Sequence, residues 1–450
     1  MDQVLYQYEL NHTTWVYLSS LLMIAVFFKF NRVWSLRNLD LLALIAFAPG
    51  LLLTAHPDGK LQSFGYIWLF CVTGVFLIRV LLDPLMVRRP LLEPNLTPGG
   101  LTFLAVSLLL FLMVNVLTYR PDERDLMTAR DVARAVSAEP LGSAANGAAT
   151  KQELDLQNRP GFFLMMWLPS ISTAALMEVQ EQPTDVASRQ QPQIVAARAA
   201  AILSHWAVVI GLVLIGVRHF DNVRAGVSAA TLYLLLPYTA QMTGRVDHAI
   251  PAALLVWAIA SYKFPLLSGV LIGLASGVIY YPIFLLPLWC GFYWHRGMVR
   301  FLVGVILVWA AMIGTSALLL HDTTAFWTSL KAMFGWSNIT AATTDAGFWA
   351  FSEQTAPYRI PVMVTFFVLS LGFALWPTQK NLGTLISCST AIMLATQFWH
   401  LDRGGIYMAW YLPLLLLTMF RPNLEDRVAV SSLGIDWFTR RGLLRKKNAA

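Results

Sequence analysis

Apolar residues form long segments along most of the chain, separated by polar loops. Thirteen segments are predicted membrane spans, because a run of roughly 17–25 apolar residues can cross a hydrocarbon layer about 30 Å thick. Their predicted limits are 14–30, 38–54, 64–82, 101–118, 198–217, 225–241, 249–262, 266–281, 283–295, 300–320, 360–377, 383–399 and 405–420. The pair around Tyr280-Tyr281-Pro282 fits one broken helix or two spans. The predicted fold class is therefore an all-α polytopic membrane protein with about 12–13 transmembrane helices.

Composition supports this class. Apolar residues make up 57% of the chain and charged residues 13%, whereas a soluble protein carries about a quarter charged residues. The three cysteines, Cys71, Cys290 and Cys388, lie inside apolar runs without a metal-like spacing, so they are predicted to be small core residues. Asp2 and Glu9 precede the first run, which favours a membrane span over a cleavable signal peptide.

Lysine and arginine are distributed unevenly between alternate loops. The loops of one side contain Lys29, Arg32, Arg37, Arg88, Arg89, Arg218, Arg224, Lys263, Arg296, Arg300 and Lys380. The short loops of the other side contain Lys60, Arg245 and Arg403. Because cytoplasmic loops are enriched in Lys and Arg, we expect an outward N-terminus and a cytoplasmic C-terminus in a bacterial inner membrane. The net charge of +7 follows this pattern and does not indicate nucleic acid.

Three regions are predicted. Residues 1–99 form an N-terminal three-helix extension, residues 100–420 form the membrane core, and residues 421–450 form a basic cytoplasmic tail. The tail contains the run RRGLLRKK, which is expected to rest on anionic lipid headgroups. The core includes the two long extracytoplasmic loops 119–197 and 321–359.

Charged residues gather where the predicted spans meet the outer face. The stretch TGRVDHAIPAALLVW places Arg245, Asp247 and His248 directly before an uncharged helix. Other outer charges are Asp122, Glu123 and Asp125 after span 101–118, His400, Asp402 and Arg403 after span 383–399, and His321, Asp322 and Arg359. Loops at a membrane surface are often charged, so each instance could be ordinary surface polarity. The two short loops leave little room for accidental polarity, which favours a shared cavity.

These residue types suit transfer of a group from a phosphate-linked lipid. A carboxylate can accept a proton from a hydroxyl, arginine binds two phosphate oxygens at once, and histidine can assist a leaving phosphate. Nucleotide-binding and hydrolase motifs such as GxxxxGK[ST], GxSxG and HExxH are absent from the sequence. The scattered carboxylates are also compatible with a divalent cation (Mg²⁺, Mn²⁺ or Ca²⁺), although no dedicated cation-binding loop occurs.

Two stretches carry a resemblance to a known class. The run DHAIPAALLVWAIASYKFPLLSGVLIGLASGVIYYPIFLLPLW, with a small-residue ridge at Gly269, Gly273 and Gly277, resembles the middle of GT-C integral membrane glycosyltransferases. It is most similar to bacterial polyprenyl-phosphate-mannose-dependent enzymes of the family 87 type. The late run GIYMAWYLPLLLL is similar to their last helix. The chain differs in its three extra N-terminal spans, in the acids DERD, and in Tyr280-Tyr281 where many relatives have a lysine.

The resemblance implies a cell-envelope enzyme that moves a sugar, such as mannose, from a polyprenyl-phosphate donor to an extracytoplasmic glycan, lipid or protein. It implies an acidic base in the first large outer loop. The predicted catalytic residues are Asp122, Asp125 and Asp247, where Asp247 could instead hold Arg245. The predicted substrate-binding residues are Glu123, Arg245, His248, Tyr280, Tyr281, His400, Asp402 and Arg403. The two tyrosines could stack on a sugar or lie in an interfacial aromatic belt.

Two other functions fit the same pattern of spans. A lipid or small-molecule transporter, including a flippase, would need ionisable residues or broken helices deep within the spans. A non-catalytic membrane assembly protein would use its large outer loop to recruit partners. It would tolerate neutralisation of the outer carboxylates.

Overall fold

The structure is a computed structural model that describes residues 11–86, 92–118, 191–319, 323–336, 339, 347–350, 356–378, 380–424 and 427–429. About 80% of these residues are helical, and they form no strand beyond an isolated bridge between Asn381 and Val428. The all-α class is therefore confirmed for this part of the chain.

The described α-helices follow the predicted spans closely. They are α1 (His12–Phe27), α2 (Leu36–Ile45), α3 (Phe47–Thr54), α4 (Gly59–Leu82), α5 (Pro98–Thr118), α6 (Gln191–Arg218), α7 (Val223–Leu235), α8 (Pro237–Gln241), α9 (Val246–Ala260), α10 (Pro265–Val278), α11 (Leu286–Phe292), α12 (Met298–Leu319), α13 (Thr323–Met333), α14 (Arg359–Leu375), α15 (Leu382–Trp399) and α16 (Leu412–Phe420). Short 3-10 helices occur at Phe30–Arg32, Asp83–Leu85, Tyr281–Leu285, Phe348–Ala350, Ala356–Tyr358 and Met408–Trp410.

Six helical segments are long and apolar enough to cross a membrane. They are Leu36–Thr54, Gly59–Leu85, Pro98–Thr118, Ile194–Arg218, Met298–Leu318 and Leu382–Trp399. Length and composition thus support an integral membrane protein. Each of the thirteen predicted spans contains a helix, but the others are shorter or broken. Of the predicted 12–13 transmembrane helices, six are therefore supported by length and composition within the described residues.

Predicted span 225–241 is divided at Leu236, which adopts an extended conformation (φ −60°, ψ 132°). The residue before a proline is disfavoured in the helical region, and Pro237 can then begin the next helix because its missing N–H is not needed there. The hydroxyl of Thr239 donates to the carbonyl oxygen of Tyr233 at 2.6 Å. The break redirects the chain towards Arg245.

Predicted spans 266–281 and 283–295 are two arms of one hairpin. The Tyr293 hydroxyl, on the returning arm, donates to the carbonyl oxygen of Tyr262 at 2.6 Å, so the start and the end of the hairpin lie together. Tyr280 and Tyr281 form its tip. The 14-residue α10 is about 21 Å long at 1.5 Å per residue, shorter than the ~30 Å hydrocarbon layer.

Close packing of α10 on α12 depends on the predicted glycine ridge. A side chain at Gly269 would place its Cβ 2.1 Å from the carbonyl oxygen of Phe301, and one at Gly273 would lie 3.3 Å from the backbone of Val305. Small residues let helix backbones approach in this way. Two glycines of the small-residue ridge, Gly269 and Gly273, therefore lie where α10 and α12 come closest.

Helix α15 lies at the centre of the bundle. The most apolar window of α15 is 94% buried, whereas the other five long apolar segments are 28–56% buried. Asn381 begins α15 with a capping box completed by Thr384, which satisfies backbone N–H groups that have no partner within the helix. Hydroxyls in its interior donate back along the helix, as Thr390 does to Ile386 at 2.8 Å. Polar side chains therefore lie in the core without losing hydrogen bonds.

One end of the bundle, hereafter the basic end, gathers the loops predicted to be cytoplasmic. The contacts that link these loops are Lys29 Nζ with Asn95 Oδ1 (3.0 Å), Arg224 Nη2 with the Pro94 carbonyl oxygen (3.0 Å), Arg427 with Asp221, and Arg296 Nη1 with the Ala429 carbonyl oxygen (3.2 Å). These contacts join loops from alternate ends of the predicted spans, as expected if successive loops alternate between the two sides of a membrane.

Four buried or partly buried charges form a network near this end. Arg79 on α4 pairs with both oxygens of Asp40 on α2, with Nε–Oδ1 at 3.0 Å. Arg79 Nη1 lies 3.5 Å from Oδ1 of Asp83. Asp83 also pairs with Arg421, which directly follows α16. Asp83 and Arg421 are almost fully buried, so each charge depends on its partner.

We expect Asp83→Asn to destabilise the protein by about 3–5 kcal/mol, because it leaves Arg421 buried without its counter-charge. The matched control is Asp221→Asn, which breaks the ion pair with Arg427. The Asp221 side chain is 69% exposed and the Arg427 side chain is 31% exposed. Exposed pairs contribute about 1 kcal/mol or less. Reversible unfolding in mixed micelles measures both. Equal, small effects would show that the buried network does not hold the helices together.

Candidate functional site

The Arg245–Asp247 pair opens α9 at the end of the bundle opposite the basic end. Arg245 is the residue that caps the helix, and Asp247 lies in its first turn, where a carboxylate is stabilised by the helix dipole. Arg245 Nε lies 3.1 Å from Oδ1 of Asp247, and Nη2 lies 3.0 Å from Oδ2. Both side chains are largely buried. Such bidentate pairing fixes the guanidinium and the carboxylate relative to each other.

A histidine on α6 holds the loop that carries this pair. His205 Nε2 lies 3.0 Å from the carbonyl oxygen of Thr243, and Nδ1 lies 2.9 Å from the hydroxyl of Tyr233. The neutral ring can donate through Nε2 and accept through Nδ1, which matches these two partners. Sequence reasoning missed His205, although an imidazole inside an apolar run was the available signal.

His248 joins the pair to an aromatic wall. Its Nδ1 lies 2.6 Å from the hydroxyl of Tyr238 on α8, and its ring centroid lies 5.0 Å from that of Tyr407. Tyr407 stacks on Trp410 at 4.4 Å. The indole N–H of Trp410 donates to the Asp247 carbonyl oxygen at 3.3 Å. The chain before α16 is thereby fixed against the start of α9.

Tyr407 contacts both His248, at the start of α9, and His400, in the loop after α15. The Tyr281 hydroxyl hydrogen-bonds to Nδ1 of His400, and the Tyr280 hydroxyl donates to that of Tyr281 at 2.5 Å. The ring centroid of His400 lies 4.6 Å from that of Tyr407, which also contacts His248. Both tyrosines at the hairpin tip are buried among protein side chains, rather than facing outward as in an aromatic belt.

Arg359 adds a second guanidinium to this cluster. It begins α14 and is 5% exposed, and its Nε donates to the carbonyl oxygen of Trp399 at 2.9 Å. The ring of Trp399 lies 5.2 Å from that of Tyr281, so Arg359 is near the hairpin tip. The sequence marked Arg359 as an outer charge without including it in the site. Among the described residues, the cluster thus has two arginines for one aspartate.

Asp402 and Arg403 lie at the rim of the cluster. Their closest charged atoms are 4.0 Å apart, and their side chains are 38% and 53% exposed. Arg403 has a positive φ of 51°, and a side chain at Gly347 would meet its backbone nitrogen at 2.7 Å. The segment 347–350 therefore covers this loop closely.

The structure brings together six of the predicted site residues: Arg245, Asp247, His248, Tyr280, Tyr281 and His400. Asp122, Glu123 and Asp125 lie outside the described residues, as do His321 and Asp322. Within the described ranges, no three His, Cys, Asp or Glu side chains converge as a metal site would require. Asp247 is arranged to hold Arg245, one of its two predicted roles.

No protein-family model matches this chain, and no curated protein or solved structure matches it. The helical fold of the described residues and its six long apolar helices support an integral membrane protein. Any narrower functional class depends on the chemistry of the cluster itself.

A double-mutant cycle tests the pairing of Arg245 and Asp247. We expect Arg245→Met alone to destabilise the protein, because Asp247 keeps its charge in a largely buried position. Adding Asp247→Asn should restore part of the loss, with a coupling of about 0.5–3 kcal/mol. Unfolding in mixed micelles measures the cycle. A coupling near zero would mean that the two side chains do not depend on each other.

Proposed function

We propose that this protein is an integral membrane glycosyltransferase that moves a sugar from a polyprenyl-phosphate donor to an extracytoplasmic acceptor. The observation that supports it is the convergence of Arg245 and Arg359 with two imidazoles and four tyrosines at one end of the helical bundle. Among the described residues of the cluster the guanidiniums outnumber the carboxylates, which favours an anionic group such as a phosphate.

The arginines have the chemistry to hold the donor phosphate. A guanidinium has five N–H donors, and the pair with Asp247 uses two of those of Arg245. The carboxylate therefore fixes the plane of the guanidinium. His248 and His400, each with one ring nitrogen beside a tyrosine hydroxyl, can add hydrogen bonds to the leaving phosphate.

In the proposed reaction, an acceptor hydroxyl oxygen attacks the anomeric carbon of the sugar. The bond from that carbon to the phosphate oxygen breaks, and the polyprenyl phosphate leaves with the electron pair. The hydroxyl proton passes to a carboxylate, for which Asp122 and Asp125 are the proposed bases. Asp247 acts as a positioning residue through Arg245.

Lipid retained by the purified protein tests donor binding. Native mass spectrometry of the gently extracted protein should find a polyprenyl phosphate, with or without a hexose. The Arg245→Met/Asp247→Asn variant should lose it, while Arg403→Gln at the exposed rim should lose less. Asp221→Asn, at the basic end, is the control that should lose none. Bulk phospholipid alone, equal in every variant, would contradict the proposal.

Transfer activity tests the base and separates an enzyme from a transporter. With a radiolabelled polyprenyl-phosphate sugar and envelope acceptors, neutralising the base (Asp122→Asn or Asp125→Asn) should lower the rate by about 10²–10⁴-fold while the donor stays bound. Asp221→Asn, at the basic end, is the control that should keep the unaltered rate. Transfer that persists in both Asp122→Asn and Asp125→Asn would exclude these bases. Movement of the donor across the membrane without its consumption would favour the transporter.

A further inference from the structure

A cavity of about 890 Å³ lies at the basic end, between α11 and the C-terminal end of α14. Its volume is within the ~300–1,000 Å³ typical of ligand pockets. Apolar walls come from both helices, and its polar lining includes Arg296, Lys380 and Asn381. None of the described residues that line it is acidic. The cavity therefore combines an apolar surface with two cations.

Lys380 is held inside this cavity by the end of α14. Its Nζ donates to the carbonyl oxygens of Ala374 at 2.9 Å and Pro377 at 3.1 Å. A side chain at Gly291 would place its Cβ 3.3 Å from this amine and 2.8 Å from the Ala374 carbonyl oxygen, so the glycine makes room for it. Burial lowers the pKa of the Lys380 amine, and a bound anion would offset that cost.

Arg296 supplies the second cation from the loop after α11. Its Nη1 donates to the carbonyl oxygen of Ala429 at 3.2 Å. The neighbouring Val428 lines the cavity and bridges to Asn381. The C-terminal segment 427–429 thus closes one side of the cavity and orients the guanidinium.

An exposed apolar strip on α14 leads into the cavity. Val364, Val368, Leu371 and Leu375 follow one another at helical spacing and are 52–80% exposed, and Leu375 itself lines the cavity. Residues at this spacing share one face of a helix. An amphiphile with its head between Lys380 and Arg296 could lay its chains along this strip.

We propose that this cavity binds the phosphate headgroup of an anionic phospholipid, with its acyl chains against α14. Two cations, with no carboxylate among the described residues that line the cavity, complement a phosphate. The apolar strip matches the acyl chains. Basic pockets between transmembrane helices on the cytoplasmic side bind such headgroups. The site is separate from the outer cluster and does not depend on the proposed glycosyl transfer.

Lipid retention tests this site directly. The protein is reconstituted in phosphatidylcholine vesicles containing phosphatidylglycerol, extracted, and analysed by native mass spectrometry. Arg296→Gln/Lys380→Gln should weaken phosphatidylglycerol binding by about 30-fold, at roughly a factor of 5 per basic residue. Lys263→Gln, which removes an exposed cation from the same end, should leave binding unchanged. An equal loss in this control, or no loss in the double variant, would overturn the proposal.

Thiol labelling locates the lipid in the unaltered protein. Cys290 lines the cavity. Cys71 lies on α4, away from the cavity, and its exposed side chain serves as the internal reference. The prediction that Cys71 is a core residue is therefore wrong. In detergent micelles, phosphatidylglycerol should slow the reaction of Cys290 with N-ethylmaleimide several-fold relative to Cys71. Phosphatidylcholine should not. Equal protection by inorganic phosphate alone would show a free-anion site and overturn the lipid proposal, as would unchanged labelling.

Discussion

The ion pair between Asp83 and Arg421 joins positions 338 residues apart in the sequence. It fixes the end of α16 to the end of α4, in an interior where an unpaired charge would cost several kcal/mol. Helix α16 packs against α7 and α15, and the chain just before it carries Tyr407 and Trp410. Anchoring one end of α16 therefore also sets the position of the aromatic wall at its other end.

The cluster opposite the basic end exists because three segments stop being regular helices inside the bundle. The chain breaks at Leu236, again at Tyr280, and once more between Trp399 and Leu412. Irregular backbone at membrane depth is tolerated only where protein groups satisfy its polar atoms. Here those groups are side chains of the site itself, since Trp410 donates to the Asp247 carbonyl oxygen and Arg359 to that of Trp399. The site residues thus stabilise the same helix breaks that bring them together.

Local sequence patterns predicted the loops of this arrangement but not all of its side chains. Short polar loops between uncharged runs identified the loops at Arg245 and His400, and Pro237 was an available signal for the break that precedes the first of them. Arg359 and Tyr407 were not assigned to the site, because an arginine before a span and an aromatic residue near its end are typical of any membrane surface. Only the tertiary fold shows that their side chains are buried together.

Helix length and burial both shape the cluster opposite the basic end. The hairpin of α10 and α11 begins at the basic end, and its first arm is about 21 Å long, shorter than a ~30 Å hydrocarbon layer. Arg359 is 5% exposed, in surroundings of low dielectric, where a charge acts more strongly than in water. The proposed donor carries its phosphate where the polyprenyl chain leaves the hydrocarbon. A largely buried pair of arginines suits such a phosphate better than one dissolved in bulk water.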